Sequence, residues 1–164
     1  MTLACVAYVA LGANLGDPIA TVNTAVEALK GLPRSRLLAV SSLYRTAPVG
    51  LKDQPDFINA VAALETELTP TALLEELFAI EAHFGRQRSV RNAPRTLDLD
   101  LLLHGSTRSN NPAVILPHPR MHERAFVLAP LMEIAPELDI PGHGPIAPLR
   151  ERCVDQNIQR ITDR

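Results

Sequence analysis

Apolar and polar positions along this chain repeat with two different periods, and the switches between them mark a short series of elements. "VAYVALGANLGDP" opens as an apolar strand that turns at Gly12 and Gly16 into a helix. Asp17 suits the N-cap and Pro18 the first helical position, where a missing N–H costs nothing. Ile19, Val22, Val26 and Leu29 then follow at spacings of three and four, and Gly31 stops the helix. "RLLAVSSLYRT" reads as a second strand rich in β-formers, and "APVGLKDQPD" as a polar loop. "FINAVAALETEL" is a third strand with Phe57, Asn59, Val61 and Ala63 on one face. Thr69 and Pro70 open a second helix with Leu73, Leu77, Ile80 and Phe84 on one stripe, ended by Gly85.

After a second polar loop, "GRQRSVRNAP", comes "PRTLDLDLLL". Two aspartates in so apolar a run make sense on a strand. Residues two apart share a face there, with Cα atoms roughly 6.5–7 Å apart. Leu97, Leu99, Leu101 and Leu103 then form the core face, and Asp98 and Asp100 stand together on the other. "PHPRMHERAFVLAPLMEIAP" contains a short helix. The order strand, helix, strand, strand, helix, strand predicts an α+β fold of the ferredoxin-like, split βαβ kind. That is a two-layer sandwich of an antiparallel sheet with helices packed on it. No repeat or linker divides residues 1–164, which predicts one domain.

Composition narrows the picture only slightly. Apolar residues make up 46% of the 164 and charged residues 21%, ordinary values for a globular chain. A net charge of -2 predicts neither nonspecific nucleic-acid binding nor attraction to anionic membranes. The first cation is Lys30, so the apolar start lacks a signal peptide's basic flank and reads as a buried strand. No apolar run reaches the roughly 18 residues that would span a membrane. Cys5 and Cys153 have no metal-ligand spacing, and two reduced thiols point to the cytoplasm. Nothing in the chain demands more than a monomer.

Candidate chemistry centres on the aspartate pair. Parallel carboxylates repel unless something cationic joins them, and Mg²⁺ suits two carboxylates with water and substrate phosphates completing its shell. A pair of ions about 3.5–4 Å apart could be shared by such carboxylates. Arg86, Arg88, Arg91 and Arg95 precede the pair, and Arg120 and Arg124 follow it. Arginine binds phosphate oxygens bidentately, so these residues together suit a polyphosphate with Mg²⁺. No GxxxxGK[ST] loop or nucleophile elbow is present, and "GANLGD" reads as a structural turn. His118, between Pro117 and Pro119, reads from sequence alone as a structural residue. A Mg²⁺-dependent nucleotidyltransferase or nuclease would use the same aspartates, and a ferredoxin-like regulatory module would need no metal.

Several stretches, in order, resemble one family: "LGANLGD", "SSLYRTAPVG", "DQPDFINAV", "IEAHFGRQR", "PRTLDLDLLL" and "LPHPRMHERAFVLAPLMEIAP". They are similar to hydroxymethyldihydropterin pyrophosphokinase, an enzyme of folate biosynthesis. The resemblance implies a ferredoxin-like fold and diphosphate transfer from ATP to the hydroxymethyl group of a reduced pterin, releasing AMP. It implies two Mg²⁺ ions on Asp98 and Asp100, and action of Arg86 and Arg95 on the phosphates. Glu81, Arg88, Leu101, His118 and Arg124 match positions lining the ATP site. Phe57, Asn59 and Phe126 match the pterin slot, with Thr46 and Val49 supplying backbone contacts. The chain departs from better-known members at Asn92 and Ala93, where several carry Trp-Gly. It departs also at Phe78 in place of a glutamine, Ala113 in place of an arginine, and Phe57 in place of a tyrosine.

Overall fold

The computed structural model describes residues 4–48, 53–84 and 97–161. Strand β1 (Cys5–Ala13) leads into helix α1 (Pro18–Lys30), followed by β2 (Ser35–Val40), β3 (Leu43–Thr46) and β4 (Phe57–Thr66). Helix α2 (Pro70–His83) returns the chain to β5 (Asp98–His104). The remainder holds a 3-10 turn (Met121–Glu123), α3 (Ala125–Ile134), the hairpin β6 (Asp139–Ile140) and β7 (Gly144–Pro145), α4 (Ile146–Glu151) and β8 (Gln159–Ile161). The main sheet runs β5-β1-β4-β3-β8, with β2 also paired to β4, and its pairs are antiparallel. The first four elements of that order give the split βαβ arrangement expected from the element pattern.

Local chemistry explains the helix starts. Asp17 accepts the Ala20 N–H at 3.2 Å and Thr69 accepts the Ala72 N–H at 3.2 Å, each ahead of a proline in the first turn. Val22, Val26 and Leu29 of α1 and Leu73 and Leu77 of α2 are buried under one sheet face, with Ile19, Ile80 and Phe84 partly covered beside them.

Four features differ from the sequence expectation. The stretch 36–46 is two strands rather than one. At the break, buried Ser41 donates its N–H to the Val61 carbonyl, and its hydroxyl accepts the Val61 N–H at 3.0 Å. The β2 and β3 registers on β4 differ by one residue across this point, as at a bulge. Gly12 does not turn the chain; it lies inside β1, and Gly16, at φ 64°, takes the turn.

The leucine alternation of β5 also breaks. Its register on β1 shifts between Tyr8 and Val9, so Leu102 is the extra residue. Leu97, Leu99 and Leu101 stay in the core under α1 and α2, while Leu102 and Leu103 pack with Met121, Leu128 and Leu131. Finally, the sandwich has a third layer. Helices α3 and α4 cover the second sheet face through Ala125, Val127, Leu128, Ile146 and Leu149, which is why β4 is buried on both sides.

Candidate active site

Register places the candidate residues before any side chain is considered. Gly12 of β1 lies opposite Asp98 on one side and Asn59 on the other. Asn59 in turn lies opposite Tyr44, and Phe57 opposite Thr46. Asp100 faces Ala10, two residues along from Gly12. Since alternate residues share a face, Asp98, Asp100, Asn59, Phe57 and Thr46 all stand on the face that α3 covers farther along. Two strand spacings separate the Cα atoms of Asp98 and Asn59, about 10 Å. Between them Gly12 has no side chain, so the floor is open. A Cβ at Gly12 would sit 3.2 Å from Asn59 Oδ1.

Asn59 is buried, and its Nδ2 donates to the Thr46 hydroxyl at 2.9 Å, a diagonal contact across β3 and β4. Phe126, in the first turn of α3, packs partly buried against the same side, with the Arg124 guanidinium 5.4 Å from its ring centroid. That contact joins a residue matched to the ATP site with one matched to the pterin slot.

The outer edge of β5 completes the geometry. Leu99 directs its N–H away from β1, and Glu81 Oε2 accepts it at 2.7 Å. Glu81 is only 2% exposed, so an acidic side chain takes the third buried position of α2. Three residues on, the Leu102 carbonyl accepts the His118 N–H at 2.9 Å. Leu101 lies between these anchors. Its side chain is in the core, and only its backbone faces the edge.

His118 is held in one protonation state. Burial, then the positive charge of Arg124, and more weakly that of Arg120, push its pKa down to about 4 against the opposing pull of Asp98. Its Nδ1 accepts the Arg120 N–H at 3.3 Å, which leaves the ring proton on Nε2. The ring is a neutral donor at physiological pH, a more specific part than the structural role read from sequence.

Val49, Arg86, Arg88 and Arg95, together with Asn92 and Ala93, lie outside the described residues. Phe78 is exposed on α2, beside Glu81 one turn on. Ala113 caps a short turn through an N–H bond to Asn111 at 3.0 Å.

Two residues of the site were not legible as such. In sequence Gly12 reads as a turn former; its signal is a glycine inside a strand, which marks close approach by another group. Asn14, 1% exposed, donates to the Gln54 side chain at 2.8 Å and to the Pro55 carbonyl at 3.0 Å. It ties the end of β1 to the segment entering Phe57.

An α+β sheet face that gathers two carboxylates, a buried amide and an aromatic ring is suited to hold a small molecule. Comparison with known proteins makes this particular. The family model for 7,8-dihydro-6-hydroxymethylpterin-pyrophosphokinase matches residues 8–136, and the chain belongs to that family. It is 47% identical to the 2-amino-4-hydroxy-6-hydroxymethyldihydropteridine pyrophosphokinase of Pseudomonas aeruginosa, over 94% of this chain and 95% of that one. Identity to the Haemophilus influenzae protein of the same name is 43%, over 94% and 97% of the two chains. Among solved structures, wild-type Plasmodium falciparum HPPK-DHPS with SDX-DHP superposes with a TM-score of 0.72 at 12% identity. The match covers 93% of this chain and 45% of that longer one, and it shows the shared fold.

Proposed function

We propose that this chain transfers diphosphate from ATP to the hydroxymethyl group of 6-hydroxymethyl-7,8-dihydropterin, giving AMP and the pterin diphosphate for folate biosynthesis. The hydroxymethyl oxygen attacks the β-phosphorus, and the bond from that phosphorus to the oxygen shared with the α-phosphate breaks. Membership of the pyrophosphokinase family and near full-length identity to two proteins of that name support the activity. The single observation carrying the assignment of residues is the common face of Asp98, Gly12 and Asn59. Phosphates held at Asp98 and a heterocycle held at Asn59 would then lie within one substrate's length of each other.

The donor set of Asp98 and Asp100 fits Mg²⁺. It is two hard carboxylates on adjacent positions of one strand face, and no group of three or more metal-ligating side chains exists among the described residues. Such a set suits an ion that keeps water and takes its remaining ligands from substrate phosphates, and two Mg²⁺ ions would share it. When bound, the ions neutralise phosphate charge as it redistributes.

The remaining roles fall to the chain itself. His118 donates from Nε2 to a phosphate oxygen without adding a formal charge. Arg124 places its guanidinium between nucleotide and pterin, and Glu81 fixes the β5 edge beside the aspartates. Arg86, Arg88 and Arg95 would bring further cations to the phosphates. Phe57 and Phe126 enclose the pterin, with Thr46 and Val49 bordering it. The free thiols of Cys5 and Cys153 support a cytoplasmic location, and the chain acts as a one-domain monomer. Among the described residues no helix is long and apolar enough to cross a membrane.

Incubation with ATP, Mg²⁺ and hydroxymethyldihydropterin tests the reading. AMP and pterin diphosphate should appear in equal amounts. Formation of ADP, or of AMP without a pterin product, would overturn it.

A further inference from the structure

Helix α3 begins at a residue that does not cap it. Arg124 occupies the N-cap position with φ -117° and ψ 114°, and its side chain makes no capping bond to the first turn. Gln156, far along the chain, takes that part. Its Oε1 accepts the Ala125 N–H at 2.9 Å, and its Nε2 donates to the Glu123 carbonyl at 2.8 Å. A backbone N–H can only donate and a carbonyl can only accept, so these partners fix which end of the amide is which. The two peptide groups held are those on either side of the Arg124 Cα. Because peptide groups are planar, the angle between them is set by φ and ψ of Arg124 alone. Water can satisfy either group singly, but only a side chain bonded to both fixes that angle. Gln156 is itself anchored. Its N–H donates to the carbonyl of buried Cys153 at 3.0 Å, and Ile158, two residues on, packs with Phe126 against the second core.

We propose that Gln156 is a positioning residue: by bonding the peptide groups on both sides of Arg124, it aims that guanidinium into the site. The Arg124 carbonyl accepts the Val127 and Leu128 N–H groups, so Gln156 ties the same main chain both to α3 and to the segment before β8. The guanidinium stands 5.4 Å from the Phe126 ring centroid, and its charge reaches His118. A long side chain amplifies a small rotation at its Cα, so loosening either plane lets the guanidinium wander. This rests on the proposed role of Arg124 and extends it to the C-terminal segment, beyond the residues 8–136 that the family model matches.

The experiment measures kcat/KM for ATP in the parent chain, in Gln156→Met, Gln156→Glu and Arg124→Ala, and in Gln156→Glu combined with Arg124→Ala. Gln156→Met keeps the length of the side chain and removes both bonds, and kcat/KM should fall about tenfold. Gln156→Glu keeps an acceptor for the Ala125 N–H, so α3 stays capped and the thermal midpoint should match the parent's. It has no donor for the Glu123 carbonyl, so kcat/KM should fall by a similar factor. In the Arg124→Ala background Gln156→Glu should cost nothing further, because a residue acting through Arg124 then has nothing left to position. Parental kcat/KM in Gln156→Glu, or an equal loss with and without Arg124, would overturn the proposal, and Gln156→Glu decides even if Gln156→Met folds poorly. If Arg124→Ala is as active as the parent, the role of Arg124 fails and the proposal with it. If Arg124→Ala is weak while both Gln156 variants match the parent, only the role of Gln156 fails.

Discussion

Asp98 and Asn59 stand on either side of Gly12 in one rung of the sheet and on one face of it. The two residues lie far apart in sequence, with helix α2 between them in the chain. Antiparallel pairing of β5, β1 and β4 sets their separation, so the distance between the proposed phosphate and pterin ends of the site is a property of the central sheet. The absence of a side chain at Gly12 then decides what can lie between them.

Gly12→Ala tests that floor. The added Cβ meets Asn59 Oδ1 at 3.2 Å, tighter than an ordinary contact, in the middle of the open strip. Replacing a strand glycine by Ala favours folding by roughly 0.5–1 kcal/mol, which offsets the crowding. The expected outcome is a melting temperature within a few degrees of the parent and a fall in kcat/KM for the pterin of about 10²-fold. Steady-state kinetics beside a thermal melt checks both.

Much of this was legible in the sequence because it depends on local chemistry. The Asp17-Pro18 and Thr69-Pro70 starts, the apolar stripe of α1 and the shared face of Asp98 and Asp100 follow from helix caps and side-chain period. Features created by pairing were not legible. The extra residue at Leu102 turns Leu103 to the other core, and nothing in "LDLDLLL" marks where the register shifts. Ser41 splits β2 from β3 by taking the hydrogen bonds of Val61, a role visible only once β4 lies alongside. The third layer was obscured because α3 is apolar over much of its surface and shows little amphipathic pattern.

Asp98→Asn and Asp100→Asn should each reduce turnover by roughly 10³-fold while leaving the fold intact, since each removes a hard anionic ligand from a site working by charge neutralisation. Either change also relieves repulsion between neighbouring carboxylates, so the melting temperature should hold or rise. Turnover measured across a Mg²⁺ titration decides it; near-parental rates at ordinary Mg²⁺ would place the metal elsewhere.

Glu81→Ala should cost stability as well as activity. The buried carboxylate satisfies the Leu99 N–H at 2.7 Å, and removing it leaves a buried backbone donor without that partner, a loss of about 1–3 kcal/mol. Glu81→Gln keeps an oxygen acceptor and should retain more of the stability. Urea unfolding of the two variants separates these outcomes.

Stability toward acid should depend on Glu133, which accepts hydrogen bonds from the Tyr44 hydroxyl at 2.7 Å and from Ser42. Burial works to raise its pKa, but those bonds and the charge of Arg160 more than offset this and hold it below the ordinary 4.5. A carboxyl lowered in the folded state stabilises above its ordinary pKa, and that contribution disappears as pH falls through the folded value. Tyr44 behaves in the opposite sense. Burial, then its bond to Glu133, push its pKa up from 10 to about 12, so its contribution is complete below pH 10 and is lost as pH rises toward 12. Glu133→Gln should flatten the acid limb of a plot of urea midpoint against pH.

The shared face itself can be observed directly by replacing Mg²⁺ with paramagnetic Mn²⁺, which takes similar oxygen ligands. In the presence of a nonhydrolysable ATP analogue, the side-chain amide of Asn59 and the backbone amides of Ala10 and Gly12 should broaden strongly as Mn²⁺ is added. The effect should vanish in Asp98→Asn. Sharp signals from Asn59 and Gly12, with broadening confined to another part of the molecule, would contradict the account.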